Sequence, residues 1–236
     1  MFRIYADKNN KPARPKKSLK QNFDDAVRGC ALGLFVNQGQ VCAAGSRILV
    51  HRSIADRFAA ALAQAAEAIT VGDPSQPGVQ MGPVAKKAQY DRVNKYIQLG
   101  LAEGARLLAG GVSESRQGWF VKPTIFANAS NQMTIAREEI FGPVGTVIAF
   151  DTDEEAIALA NDSDYGLAAT VWTRDLSRAH KVAGAVKVGA VGVNCWSPLD
   201  ANLPWGGLKT SGIGREGGLS GAVAYTEEKV ITVLLP

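Results

Sequence analysis

Apolar residues along this chain recur with two different periods. Between residues 22 and 35, Phe23, Val27, Cys30, Leu34 and Phe35 return every three or four positions. That spacing predicts a helix with one buried face, and it makes Cys30 core packing. Asp24 and Asp25 fall in its first turn, where the helix dipole favours them, and Gly39 is a stop. Residues 46–51 read as a buried strand. Ser53 is expected to cap a second helix that buries Ile54, Phe58, Leu62, Ala65 and Ile69. Residues 72–74 and 77–78 are loops. A third helix is predicted over 84–103, with Val93, Tyr96, Ile97 and Leu101 inward. A short strand follows at 105–109, then a Gly110-Gly111 turn and a polar loop over 113–118. Strand-like runs at 119–121 and 124–126 are separated by Pro123.

Beyond residue 143 the alternation is regular. Strands at 144–150, 167–173 and 188–193 enclose helices at 153–161, capped by Thr152 or Asp153, and at 176–185. The fold class this predicts is α/β, an open, mostly parallel sheet with helices on both faces. Active sites in such sheets lie beyond the carboxyl ends of the strands, and Asn194 and Cys195 follow directly on 188–193. That end is therefore the expected location of the site. The run over 230–235 is apolar on both faces, which predicts a strand buried within a sheet. Three parts are expected: a head over 1–21 that is extended or disordered, one α/β domain over 22–222, and a C-terminal strand region over 223–236.

Composition adds little until the charge is divided along the chain. The 236 residues are 46% hydrophobic and 20% charged, ordinary values for a globular protein. The net charge of +4 conceals a basic head. Residues 1–20 hold seven Lys and Arg against Asp7, a net +6, and the remaining 216 residues carry a net −2. The basic pI thus describes a short terminus interrupted by Pro12 and Pro15, and neither nucleic acid nor membrane is an expected partner. No apolar run reaches the 18 residues of a transmembrane candidate, and no apolar segment follows the first basic residues as in a secretory signal. Three cysteines at unhelpful spacings argue against a disulfide framework and for a reducing, cytoplasmic setting. Only His51 and His180 are available as imidazoles, and no zinc spacing occurs. The glycine-rich run over 206–218 matches neither phosphate-loop pattern, and no dinucleotide fingerprint occurs anywhere. Those glycines read as tight turns.

The candidate chemistry centres on Cys42, which follows a Gln38-Gly39-Gln40 turn and precedes the apolar run Ile48-Leu49-Val50. A thiolate there would be a nucleophile, although a lone cysteine is ordinarily a small buried hydrophobe. Three strings narrow the choice: FVNQGQVCAAGSR at residues 35–47, REEIFGPV at 137–144, and LPWGGLKTSGIGRE at 203–216. In this order they resemble the nucleophile, cofactor-ribose and C-terminal signatures of the aldehyde dehydrogenases, over about residues 22–236. The resemblance implies an NAD- or NADP-dependent oxidation of an aldehyde to a carboxylic acid. Cys42 would attack the carbonyl, forming a thiohemiacetal and then a thioester, with its own backbone N–H among the oxyanion donors. Glu139 would hydrogen-bond the nicotinamide ribose and Phe141 would pack beside it. Trp196, Leu199, Leu203 and Trp205 would line the aldehyde pocket. Residues 199–204 look most like the branch acting on phenylacetaldehyde and related aromatic aldehydes. The same resemblance makes 22–222 a catalytic domain, and makes 223–236 a strand that joins subunits into a homo-oligomer.

One part of the family pattern is missing. A Glu-Leu-Gly-Gly-Lys motif, which supplies the general base, lies about 34 residues before the family's nucleophile. Counting back from Cys42 reaches Lys8, within Asp7-Lys8-Asn9-Asn10-Lys11, so the motif is absent. The dinucleotide-binding domain and the Asn that completes the oxyanion hole lie further N-terminal in the family. The sequence therefore reads as a truncated catalytic domain with an atypical head. Two rivals stand beside this reading: an inactive remnant serving as a binding or assembly module, and a residual cysteine-dependent esterase.

Overall fold

The computed structural model describes residues 2–5, 16–113, 118–196 and 200–236, with side chains from residue 23 onward. In chain order the elements are β1 (Phe2–Tyr5), α1 (Lys16–Phe35), β2 (Arg47–His51), α2 (Ala55–Glu67), α3 (Lys87–Ala102), β3 (Arg106–Ala109), β4 (Thr124–Ala127), α4 (Thr134–Arg137), β5 (Val144–Phe150), α5 (Asp153–Asn161), β6 (Tyr165–Gly166), β7 (Ala168–Trp172), α6 (Leu176–Ala185), β8 (Ala190–Val193), β9 (Leu208–Lys209) and α7 (Gly218–Val223). Seven strands form one sheet in the order β3-β4-β5-β2-β1-β7-β8. Every neighbouring pair in it is parallel except β3 with β4 at one edge. The short strands β6 and β9 pair antiparallel on their own.

Both faces of this sheet are covered, which is why strands such as β2 and β7 are buried at every position rather than at alternate ones. Ile48 and Val50 of β2, Ile125 of β4 and Val147 of β5 pack under α1 and α2, against Leu34, Phe58 and Leu62. Leu49, Ile148, Phe150, Ala169 and Val171 face the other way, onto Ala156 and Ala160 of α5 and Val182 of α6. Further along that face Phe126 and Val144 meet Val93, Tyr96 and Ile97 of α3 and Ile135 of α4. The expected α/β architecture is the one observed.

Several local expectations change. The head is not without structure: Phe2–Tyr5 pair in parallel with both β2 and β7, and α1 begins at Lys16 rather than 22. Ser53 does not cap α2. Its backbone N–H donates to His51 Nδ1 at 3.2 Å, closing a 3-10 turn over Arg52–Ile54. Leu101 is exposed; Gly100 takes the inward position, where a Cβ would sit 2.9 Å from Ile135 Cδ1. Residues 119–121 are not a strand. The Trp119 carbonyl accepts from Val84 N–H at 2.9 Å, and its ring packs 5.7 Å from that of Tyr90, tying the segment to α3. Most consequential, the tail over 230–235 carries no strand within the single chain, and Val230, Ile231, Val233, Leu234 and Leu235 are exposed. A strand needs a neighbour for its backbone groups, and none among the described residues pairs with this one.

Candidate active site

Cys42 reaches its place through an unusual stretch of backbone. At the end of α1, Asn37, Gln38 and Gly39 adopt φ values of 50°, 56° and 68° in succession. Left-handed conformations cost a non-glycine residue about 1–2 kcal/mol, so the turn must be held. Asn37 donates to the Gln40 carbonyl at 3.1 Å, Gln40 N–H donates to Asn37 O at 3.0 Å, and Gly45 N–H donates back to Gly33 O at 3.0 Å. Gly39 lies against Gly142, and a Cβ added there would stand 2.2 Å from the Gly142 carbonyl oxygen. The two motifs thus meet backbone to backbone. Cys42 is an exposed free thiol just beyond this contact, whereas Cys30 is buried and Cys195 half-buried.

The second motif is a turn between α4 and β5. Phe141 is left-handed at φ 57° and partly exposed, and Glu139 is exposed. Two side chains of α3, Gln89 and Arg92, hold the turn's backbone, and a third, Tyr96, holds the side chain of Glu138. Gln89 Nε2 donates to the carbonyls of Ile140 at 3.0 Å and Phe141 at 2.6 Å. Arg92 Nη2 donates to Glu139 O at 2.5 Å and to Tyr96 Oη at 3.1 Å, and Tyr96 in turn donates to Glu138 Oε2 at 2.5 Å.

These pieces surround a cavity of about 230 Å³ lined by Cys42, Glu139 and Phe141, with Arg47, Tyr165 and Ser211 among its other walls. It lies at the amino ends of β2, β5, β7 and β8, opposite the end that the general rule for open sheets favours. The reason is topological: α1 runs antiparallel to the strands, so its C-terminus delivers the Cys42 loop to the start of β2. At its base, Arg47, the first residue of β2, is buried and donates to the carbonyls of Ala160 at 2.9 Å and Asp162 at 3.1 Å and to Asn131 Oδ1 at 2.7 Å. Burial lowers its pKa to about 10, which leaves it charged at neutral pH.

Of the residues expected in the site, Cys42, Glu139 and Phe141 are brought together from loops about a hundred positions apart. Trp196, Leu203 and Trp205 do not line this cavity. Trp196 follows the carboxyl end of β8, with its Nε1 buried and unpaired, and Leu203 is exposed. Leu199 lies outside the described residues. Trp205 starts the return toward the amino ends: it pairs with Glu216 (N–O 2.7 and 2.8 Å), and Gly206 then passes so close to Gly189 that a Cβ on Gly189 would overlap its carbonyl oxygen. The glycines of 206–218 are indeed turn residues. The walls contributed by Thr210 and Ser211 were not foreseen, although both sit inside the third string; Ser211 Oγ accepts from Gly166 N–H at 3.0 Å. Arg47 was also missed, although it closes the first string.

Comparison with known proteins shows the family and the fold. The aldehyde dehydrogenase family model matches residues 19–231. A betaine aldehyde dehydrogenase of Cereibacter sphaeroides is 44% identical over 212 residues, covering 90% of this chain and 44% of the relative. One of Brucella melitensis is 45% identical over 216 residues, with the same two coverages. Among solved structures, the NAD+ complex of an aldehyde dehydrogenase from Bacillus cereus superposes with a TM-score of 0.87 at 41% identity, over 96% of this chain and 44% of that one. An indole-3-acetaldehyde dehydrogenase of P. syringae, in complex with NAD+, gives a TM-score of 0.85 at 42% identity, over 95% and 43%. The chain spans less than half the length of these relatives.

Proposed function

Because this chain belongs to the aldehyde dehydrogenase family, we propose that it carries the thiol half of an NAD(P)-dependent oxidation of an aldehyde to a carboxylic acid. The observation that supports this most is the convergence of Cys42, Glu139 and Phe141 on one cavity. The Cys42 thiolate would add to the aldehyde carbon, forming an S–C bond and an oxyanion that backbone N–H groups stabilise. The residues present suit one end of the cofactor. The two carboxylate oxygens of Glu139 would accept from a pair of ribose hydroxyls, and the Phe141 ring would offer a flat apolar side. The nicotinamide supplies a hydride acceptor when bound. A cavity of about 230 Å³ is below the roughly 300–1,000 Å³ of complete ligand pockets, in keeping with half of a site.

The substrate class we propose is an aldehyde bearing an aromatic or quaternary-ammonium group. The names of the relatives support this class, since they give betaine aldehyde and indole-3-acetaldehyde as what those proteins act on. The free thiols fit a cytoplasmic setting. No helix among the described residues is long and apolar enough to cross a membrane.

Two measurements test the reading. Iodoacetamide labelling with peptide mapping should modify Cys42 well before Cys30 or Cys195. Calorimetry with NAD should give a dissociation constant weaker than about 100 μM, since one edge of the site yields little more than about 5 kcal/mol. Faster labelling of another thiol, or NAD affinity in the low micromolar range, would overturn it.

A further inference from the structure

We propose that α3 is the positioning element of the cavity, fixing the turn that carries Glu139 and Phe141 against the loop that carries Cys42. The proposal rests on the reading that these three residues form the working edge of the site, but it concerns how they are held. Gln89, Arg92, Val93 and Tyr96 fall at i, i+3, i+4 and i+7, on one face of the helix. All four address the turn. Gln89 takes the carbonyls of Ile140 and Phe141, Arg92 that of Glu139, and Tyr96 the carboxylate of Glu138. Val93 approaches Gly142 so closely that a Cβ there would lie 2.4 Å from Val93 Cγ2.

Consecutive carbonyls at 139, 140 and 141 are thus each bound by an α3 side chain. This is what a left-handed Phe141 needs, because its conformation is unfavourable without outside support. Burial first, and then the bond to Glu138, hold the Tyr96 phenol above its ordinary pKa, so it remains a donor across the neutral range. The same element reaches the other motif. Ala85 N–H, just before α3, donates to Gln40 Oε1 at 3.0 Å, and Gly142 bears on Gly39. The helix, with the residue leading into it, therefore bears on both sides of the Cys42–Phe141 gap.

The test uses Gln89→Ala, which removes two of the carbonyl bonds, and Tyr96→Phe, which keeps the buried ring and so preserves the fold. Hydrogen exchange is read at the Glu138 and Val144 amides, which bracket the turn, and at α5 and α6 as internal controls. Iodoacetamide gives the Cys42 labelling rate. Each variant should speed exchange at the turn at least threefold and change the Cys42 rate at least twofold, with α5 and α6 unmoved. Parental exchange at the turn in both variants, or acceleration spread equally over α5 and α6, would overturn the proposal. Neither readout involves nucleotide, so a failed cofactor reading would leave these rates where they are.

Discussion

Gly39 has no room for a methyl group. Its φ of 68° disfavours any L side chain, and a Cβ would press to 2.2 Å from the Gly142 carbonyl. We expect Gly39→Ala to lose at least 2 kcal/mol in urea unfolding, of which about 1–2 kcal/mol is the left-handed backbone alone. An unchanged midpoint would show that the two motifs are not in the contact described. At this scale the sequence was informative where a string carried the chemistry. Cys42, Glu139 and Phe141 lie within such strings and line one cavity. Gln89 and Arg92 gave no comparable signal, because polar positions on a helix read as a solvated face until the turn they bind is in place, and Tyr96 read only as inward packing. Arg47 was silent for a related reason: its partners are helix-end carbonyls more than a hundred positions away.

The C-terminus of α5 shows how an element can be tied to the site by charge. Asp162 follows the helix, where a negative group opposes the helix dipole. It is compensated by Asn131 Nδ2 at 2.8 Å and Arg137 at 3.2 Å, while Arg47 and Lys209 donate to the carbonyls around it. The hydrogen bond from Asn131, then the one from Arg137, lower the Asp162 pKa against an opposing effect of burial. A carboxylate with a lowered native pKa stabilises the fold above its unfolded value, near 3.9, and that contribution is lost as pH falls through the native value. Acid unfolding followed by circular dichroism should therefore be shallower below about pH 4 for Asp162→Asn than for the parent chain; identical profiles would contradict this. Helix periodicity and the strand–helix alternation revealed α2, α3, α5 and α6 with small errors at the ends. Thr152, one of two candidate caps for α5, is the one used, accepting from Glu155 N–H at 3.1 Å. The segment at 119–121 was misread because β-prone residues there pack on a helix instead of pairing.

At the scale of the whole molecule, five large apolar side chains between Val230 and Leu235 stand in solvent. An unpaired apolar segment is a template for association. Light scattering should find the intact chain dimeric or larger at tens of micromolar, and deletion of 229–236 should return it toward monomer; a clean monomer for the intact chain would exclude this role. The tail reads as a strand in sequence because its side chains suit one, but a strand is a property of two segments, and among the described residues no second segment pairs with it. The sheet itself was legible as parallel, but not its order, since β1 lies in a stretch whose prolines and lysines mask four pairing residues. That placement has a consequence in time. Phe2 of β1 pairs with Arg47 and also with Ala169, 167 positions later. A ribosome adding about 5–20 residues per second needs roughly six to twenty-five seconds to go from Arg47 to Ala169. For that interval β1 can be bonded on one side only, to β2, because β7 has not yet been made. Closing so long a loop is slow in any chain. The nascent protein therefore passes through a phase in which five neighbouring strands can assemble while β7 and β8 are still to be added beyond the line where β1 meets β7.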